Sequence, residues 1–329
     1  MAAETVVRFL IPGINFVGES SSLQILNKYG SSSGYKPNAQ GISWGAKIYT
    51  DNYGFRTNPA QTNARVDDTA LPSIVILGDS VTLGIGVQAK DTFANLISQN
   101  IQGYLFYNTS VTGYDLANYK DVIEKFIIPR SRELHIKKVL LFYTLNDISR
   151  LDPLEMLNFL GQNQGIEYKG MVTFTNKLRE KYDFNRFLIP RSKLYLFLKK
   201  CFYDSSKAWF LFDYQEYNNN QSINNLKSTF SDIKIILDKA DIELIVFIIP
   251  YEFQLRVTDK KYLLPQEIVA RELNRINIKN YDLYPAVRKT LNGKNISAKE
   301  LFLFNDHCHL SVKGHLVVAK EVLKILNMK

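Results

Sequence analysis

Two short stretches bring together side chains that could do chemistry. Near residue 80 the run Ile74-Val75-Ile76-Leu77 breaks at Gly78, and an acid and a serine follow at once as Asp79 and Ser80. Far along the chain, Asn305-Asp306-His307-Cys308-His309 carries an acid three residues ahead of a histidine. A serine hydroxyl is a poor nucleophile until a base takes its proton during attack. The chain has 4 histidines to choose from: His135, His307, His309 and His315. His309 alone has a carboxylate three residues earlier on a loop, close enough for Asp306 to hold its Nδ1 proton and fix the tautomer. His135 sits in a basic helix-to-strand connection and reads as exposed. His307 merely flanks the motif, and His315 falls in a closing helix where packing or capping explains it. Ser80, His309 and Asp306 are therefore the candidate nucleophile, base and orienting acid. The bland alternatives are a plain Gly-Asp-Ser turn and a buried structural histidine.

Other chemistries fit less well. A metal site at His307, Cys308, His309 and His315 is disfavoured, because adjacent side chains rarely point at one ion and no Cys-x2-Cys pair supports tetrahedral zinc. The Walker lysine is absent, and Gly84-Ile85-Gly86 lacks the third glycine of a dinucleotide fingerprint. No metal and no cofactor are expected.

The elements that must position these residues follow from pattern. Ser73–Leu77 is β-branched and apolar, as expected of a strand buried on both faces of a parallel sheet. Leu105–Asn108, Lys138–Tyr143, Glu243–Ile249 and a strand ending at Tyr281-Asp282-Leu283 complete about five parallel strands. Helices are expected over Asp91–Ile97, 115–129 and 228–239. The last begins after Ser311 as N-cap and turns Leu316, Ala319, Val322, Leu323 and Leu326 to one face. The fold expected is a flavodoxin-like three-layer α/β/α sandwich, in which ligands bind at the carboxyl ends of the strands. Ser80 stands at such an end.

With these elements in place, the sequence resembles the SGNH/GDSL hydrolase superfamily. That family pairs a serine after its first strand with Asp-x-x-His just before its last helix, and Gly78-Asp79-Ser80 and Asp306–His309 match. Asn108 to Gly113 resembles its second block and Leu140 to Asp147 its third. The resemblance implies an acyl-serine mechanism with an oxyanion hole made by the backbone N–H of Ser80, that of Gly113 and the side-chain amide of Asn146. Two departures are Thr144 and Ser110, where glycine is usual; both imply adjusted backbone packing. Asp79 and Asp147 read as loop-holding residues.

The 329 residues suit one α/β domain with an insertion. Residues 1–70 form an N-terminal arm and strand, irregular over 13–46, with a strand from Trp44 to Tyr49. Residues 71–150 and 226–329 form the catalytic domain. Residues 151–225, rich in Tyr and Phe, form a helical insertion expected to overhang Ser80 and line an elongated groove. The turn Asp51-Asn52-Tyr53-Gly54-Phe55-Arg56 resembles a motif of polysaccharide-modifying relatives, with a simple surface turn as the other reading.

Hydrophobic content of 46% and charge of 22% are those of a globular protein. The net charge of +9 reads as a solvated surface, with attraction to an anionic glycan or membrane as the sharper reading. No zinc-finger or RNP-like pattern accompanies it, so nucleic acid is not an expected partner. No window of about 18 uninterrupted apolar residues marks a membrane span. Ala3 to Pro12 resembles the segment that follows an N-terminal membrane anchor in related envelope proteins, and a cytosolic start with a short amphipathic helix fits equally. An extracytoplasmic location is favoured, with cytoplasmic as the alternative. The 2 cysteines, Cys201 and Cys308, imply no disulfide framework. The resemblance to the SGNH/GDSL superfamily and to polysaccharide-modifying members implies an esterase or deacetylase acting on an O-acylated carbohydrate. The alternatives are an O-acetyltransferase fed by a membrane-bound acyltransferase and a non-catalytic glycan-binding protein.

Overall fold

The computed structural model describes residues 2–10, 20–59, 71–148, 192–201 and 204–327. Its centre is a five-stranded parallel sheet built from β5 (Ser73–Gly78), β6 (Leu105–Asn108), β7 (Ile136–Tyr143), β8 (Glu243–Ile248) and β9 (Lys279–Asp282), in the order β6-β5-β7-β8-β9. The order reverses at β5, so the end of β5 is the switch point where such a sheet opens a crevice. All six residues of β5 are buried. That explains its unbroken apolar run, since both faces are covered by helices.

The flanking helices are α1 (Ala2–Leu10), α2 (Ser80–Leu83), α3 (Phe93–Asn100), α4 (Leu116–Val122), α5 (Lys193–Cys201), α6 (Ser205–Glu216), α7 (Asn220–Lys239), α8 (Glu252–Arg256), α9 (Leu264–Arg275), α10 (Tyr284–Lys294) and α11 (Val312–Asn327). Ser311 caps α11 by accepting from Gly314 N at 3.2 Å. The buried face of α11 carries His315, Val318, Ala319 and Val322, while Leu316 is turned to solvent, contrary to the face expected for it. His315 is a cap of another kind. Its Nδ1 accepts from Phe93 N, at the first turn of α3, at 3.1 Å. Burial and the nearby charges of Arg56 and His309 push its ring down to about 3, so it stays neutral.

The N-terminal region differs from the expected irregular arm. It contains two hairpins, β1 (Gln24–Tyr29) with β2 (Ser32–Tyr35), and β3 (Gln40–Ser43) with β4 (Ala46–Tyr49). Trp44 is not a strand residue. It occupies the two-residue turn with Gly45, both at positive φ, 49° and 80°. Within residues 151–225, those from 151 to 191 and 202–203 lie outside the described residues. The remainder is helical, and α7 runs unbroken across position 225, so the expected boundary there falls inside a helix whose N-cap is Asn219.

The Asp51–Arg56 turn has a mechanical role. Asp51 Oδ1 accepts from the backbone of Tyr53 and Phe55, each at 2.9 Å, which closes the turn. Gly54 is required there: φ is 84°, and a Cβ would lie 2.1 Å from the Tyr35 carbonyl. The turn delivers Arg56, 6% exposed, to the chain just after Ser80. Its guanidinium donates to the carbonyls of Leu83, Gly84 and Val87, each at 2.6 Å. The surface-turn reading of this motif is therefore replaced by a brace beneath the serine helix. Charge-assisted hydrogen bonds contribute about 1.5–3 kcal/mol each, and losing them together leaves buried carbonyls unmet. Arg56→Leu is expected to lower the unfolding free energy by roughly 3 kcal/mol, with Arg56→Lys recovering part. Denaturant midpoints measure it, and an unchanged midpoint for Arg56→Leu would refute the brace.

Candidate active site

Ser80 is the first residue of α2, immediately after β5. Asp79 is the N-cap, its Oδ1 accepting from Val81 N at 2.8 Å, and Gly84 in the left-handed region ends the helix after one turn. Gly78 is needed for that sharp exit. A Cβ on it would lie 2.1 Å from Thr82 Oγ1.

The acid and the histidine come from the loop before α11. Leu303 N donates to His309 O at 2.8 Å and Ser311 N to Leu301 O at 2.9 Å, pinching the loop closed. Glu252 N, at the start of α8, donates to His307 O at 2.9 Å, and Ser205 Oγ, at the start of α6, to Asn305 O at 2.6 Å. The loop thus presents Asp306 and His309 to Ser80 from across the sheet. Ser80 Oγ lies 2.9 Å from His309 Nε2, and both oxygens of Asp306 lie 3.0 Å from His309 Nδ1. Asp306 also accepts from the backbone of Cys308 and His309, at 3.0 and 2.9 Å. Burial would push the Asp306 carboxyl up. The charge and hydrogen bonds of His309, with His307 beside it, outweigh that and hold it well below the usual carboxylate range. All three residues are under 9% exposed.

The structure thus brings Ser80, His309 and Asp306 into one chain of contacts. Their serine and its partners stand at the switch point of a five-stranded parallel sheet. The architecture is the expected α/β arrangement, a five-stranded parallel sheet flanked by helices. Among solved structures, the chain is similar to a member of the lipolytic G-D-S-L family from Veillonella parvula, at 13% identity over 78% of this chain and 98% of that one, with a TM-score of 0.43. It is also similar to an acetylxylan esterase from Geobacillus stearothermophilus, at 12% identity over 77% and 93%, with a TM-score of 0.44. An alpha/beta hydrolase from the metagenome of Lake Arreo matches at 11% identity over 77% and 94%, with a TM-score of 0.46. No family model and no curated protein matches the sequence. The chemistry below rests on the site and not on these likenesses.

The residues that resemblance to the SGNH/GDSL blocks assigned to an oxyanion hole are placed as follows. Gly113 has φ 80°, and among the described residues other than its chain neighbours no atom comes within 4 Å of where its Cβ would be. Glycine is favoured there by that backbone conformation. Asn146 stands on the turn after β7. Its Nδ2 lies 3.5 Å from Asp79 Oδ2, and Ser80 Oγ lies 3.5 Å from the same oxygen, so the amide faces the serine.

Thr144, expected only to adjust packing, does more. Its hydroxyl lies 3.0 Å from Asp79 Oδ2 and 3.1 Å from Asp147 Oδ1. One hydroxyl proton cannot serve two carboxylates. Burial, then the charge of Asp79, holds Asp147 well above the usual range, so Asp147 is the neutral partner. It donates to Thr144, and Thr144 donates to Asp79. Tyr119 Oη and Thr144 N, each at 2.8 Å, donate to its other oxygen. Ser110, the other departure, is buried.

Two tryptophans border the loop. The Trp44 ring lies 4.9 Å from the His309 ring, tilted by 49°. A bulky residue at positive φ is an outlier that surrounding structure must hold in place. Trp209 of α6 stacks on His307 at 5.1 Å and 11°. Sequence reasoning placed Trp44 in a strand; the Trp-Gly pair between alternating segments is the turn signal that locates it. The set Asp306, His307 and Cys308 has ligand-type atoms within 4.8 Å of one another. Both Asp306 oxygens are engaged by His309, and burial with the Asp306 charge pushes the Cys308 thiol well up, so a thiolate ligand is disfavoured there.

Proposed function

We propose that this protein is a serine esterase that removes an acyl group, most simply acetyl, from an O-acylated carbohydrate. The observation that carries the reading is the 2.9 Å contact of Ser80 Oγ with His309 Nε2, backed by both Asp306 oxygens on Nδ1. As Ser80 Oγ bonds to the ester carbonyl carbon, His309 takes its proton. The tetrahedral oxyanion is received by the N–H groups of Ser80 and Gly113 and by Asn146 Nδ2. His309 then gives the proton to the departing sugar oxygen, leaving acyl-Ser80. A water, deprotonated by His309, attacks the acyl carbon, and the acid leaves with Ser80 Oγ reprotonated. Trp44 and Trp209 support a carbohydrate, since indole faces offer flat apolar surface with a polar edge. An envelope glycan would place the protein outside the cytoplasm.

A second reading, transfer of the acyl group to a polysaccharide hydroxyl from a membrane-bound acyltransferase donor, is favoured by one observation. The Asp51–Arg56 turn, which resembles a motif of polysaccharide-modifying relatives, braces the serine helix through Arg56. The two readings differ in what supplies the acyl group and in what attacks acyl-Ser80, and excluding water at the second step is what transfer requires. Acetylated xylo-oligosaccharide is expected to lose acetate to wild-type protein and not to Ser80→Ala. p-Nitrophenyl acetate with the unmodified oligosaccharide tests transfer, with acetylated sugar read by mass spectrometry. Equal acetate release by Ser80→Ala would end both readings.

A further inference from the structure

Asp213, on α6, lies outside the Ser80–His309–Asp306 chain, yet it is buried at 1% exposure and meets Tyr251 Oη at 2.7 Å through Oδ2. Tyr251 Oη is also 2.9 Å from Asn146 Oδ1. Tyr251 itself is fully buried, just after β8. These contacts pose a question of protons. Asn146 Oδ1 can only accept, and its Nδ2 faces Asp79 and Ser80, so at that contact Tyr251 must donate. A phenol has one proton. The 2.7 Å contact to Asp213 is then satisfied only if the carboxyl supplies a proton of its own.

We propose that Asp213 is a positioning residue: as a neutral acid it donates to Tyr251, which donates to Asn146 Oδ1 and so holds Asn146 Nδ2 towards the oxyanion. The inference rests on the esterase reading, in which Asn146 is an oxyanion donor. Asp213 Oδ1 meets no donor among the described residues. A bare oxygen on a buried carboxylate is costly, whereas the carbonyl oxygen of a neutral acid is tolerated far better.

Burial and the acids around Asp213 favour its neutral form. Burial is the largest influence; the Tyr251 hydrogen bond opposes it, the charges of Glu216 and Asp79 add to it, and the result is about 7. Tyr143 on β7 and Tyr217 after α6 bond to each other at 2.7 Å, and burial holds both phenols neutral. Burial keeps Cys308 a thiol. His307 meets Tyr251 by ring edge at 5.2 Å. When Asp213 ionises, the Tyr251 proton turns to the carboxylate, and Asn146 Oδ1 loses the bond that fixed the amide. Turnover should therefore fall as pH rises through about 7, the opposite direction from the activation of a histidine base.

The test is the pH profile of kcat and KM on p-nitrophenyl acetate. Wild type is expected to show an alkaline fall in kcat. Asp213→Asn, whose amide donates to Tyr251 at every pH, should lose that fall. Tyr251→Phe should lose kcat by about 10–100-fold with little change in KM, since misaiming a donor costs up to what removing it does. Glu216→Gln, which takes a negative charge from beside Asp213, should move the alkaline fall to lower pH. An alkaline fall that persists in Asp213→Asn, or a Tyr251→Phe effect confined to KM, would overturn the inference. Wild-type protein that never forms acyl-Ser80 would instead remove the esterase reading beneath it. Thermal unfolding of each variant separates these outcomes from loss of fold.

Discussion

Ser80→Ala is expected to lower ester turnover by on the order of a thousandfold or more. The size follows from what the hydroxyl does. In the proposed mechanism its oxygen bonds to the acyl carbon and gives its proton to His309 Nε2, which lies 2.9 Å away. Alanine keeps the backbone N–H of residue 80, so oxyanion stabilisation survives and a small residual rate over water remains. Because the members of such a set act as one unit, the loss should not grow much when His309 is removed as well. Steady-state hydrolysis of p-nitrophenyl acetate gives the rate, and intact-protein mass spectrometry with a fluorophosphonate gives the site. Wild type should take up one phosphonyl group and Ser80→Ala none. Labelling of the variant, or turnover equal to wild type, would place the nucleophile elsewhere.

The sheet was legible because its signal is local and strong. The apolar, mostly buried runs of β5, β7 and β8 read only as strands or short buried helices, and Gly78-Asp79-Ser80 marks where one stops; the edge strands β6 and β9 are half-buried and carry a weaker signal. The pairing of Ser80 with His309 was legible because only one histidine has an acid at the right spacing. The hairpins before Ser73 were not. β1 and β2 contain Asn27, Lys28, Ser32, Ser33 and Gly34, and their hold on the fold comes from Tyr29 and Tyr35, buried by distant contacts. Trp44 was misplaced for a related reason. Its positive φ is imposed by the two-residue turn, and its meaning comes from His309, which no local pattern brings near. Thr144 and Asp213 were invisible as chemistry because their roles depend on counting protons among buried partners. Asp213 shows this most clearly. An acid in a helix rich in Trp, Phe and Tyr has no periodic signature, and only the 2.7 Å contact with Tyr251 gives it a role.

The second large effect expected is at the base and its acid. His309→Ala should match Ser80→Ala, since without Nε2 nothing among the described residues lies within 3 Å of Ser80 Oγ to take the proton. Asp306→Asn tests a subtler point. Asp306 accepts from Cys308 N and His309 N through Oδ1, and an asparagine oxygen can keep those two bonds. Its NH2 group then faces His309 Nδ1, which must become an acceptor. That choice puts the ring proton on Nε2, pointing at Ser80, so the ring can no longer act as a base in that tautomer. A loss of about 10⁴ in kcat is the expected size for a wrong tautomer in otherwise intact geometry. Stability carries a matching sign. The folded Asp306 carboxyl is depressed below its ordinary value near 4, so its contribution is present above that pH and is lost as pH falls through the depressed value. Asp306→Asn should therefore narrow the difference in unfolding free energy between neutral and acid pH. His307→Ala removes the ring stacked on Trp209 and should keep most of the activity, as should His315→Ala in any fraction that folds. Activity that dies with His307 and survives without His309 would show that the base stands two residues earlier than the 2.9 Å contact puts it.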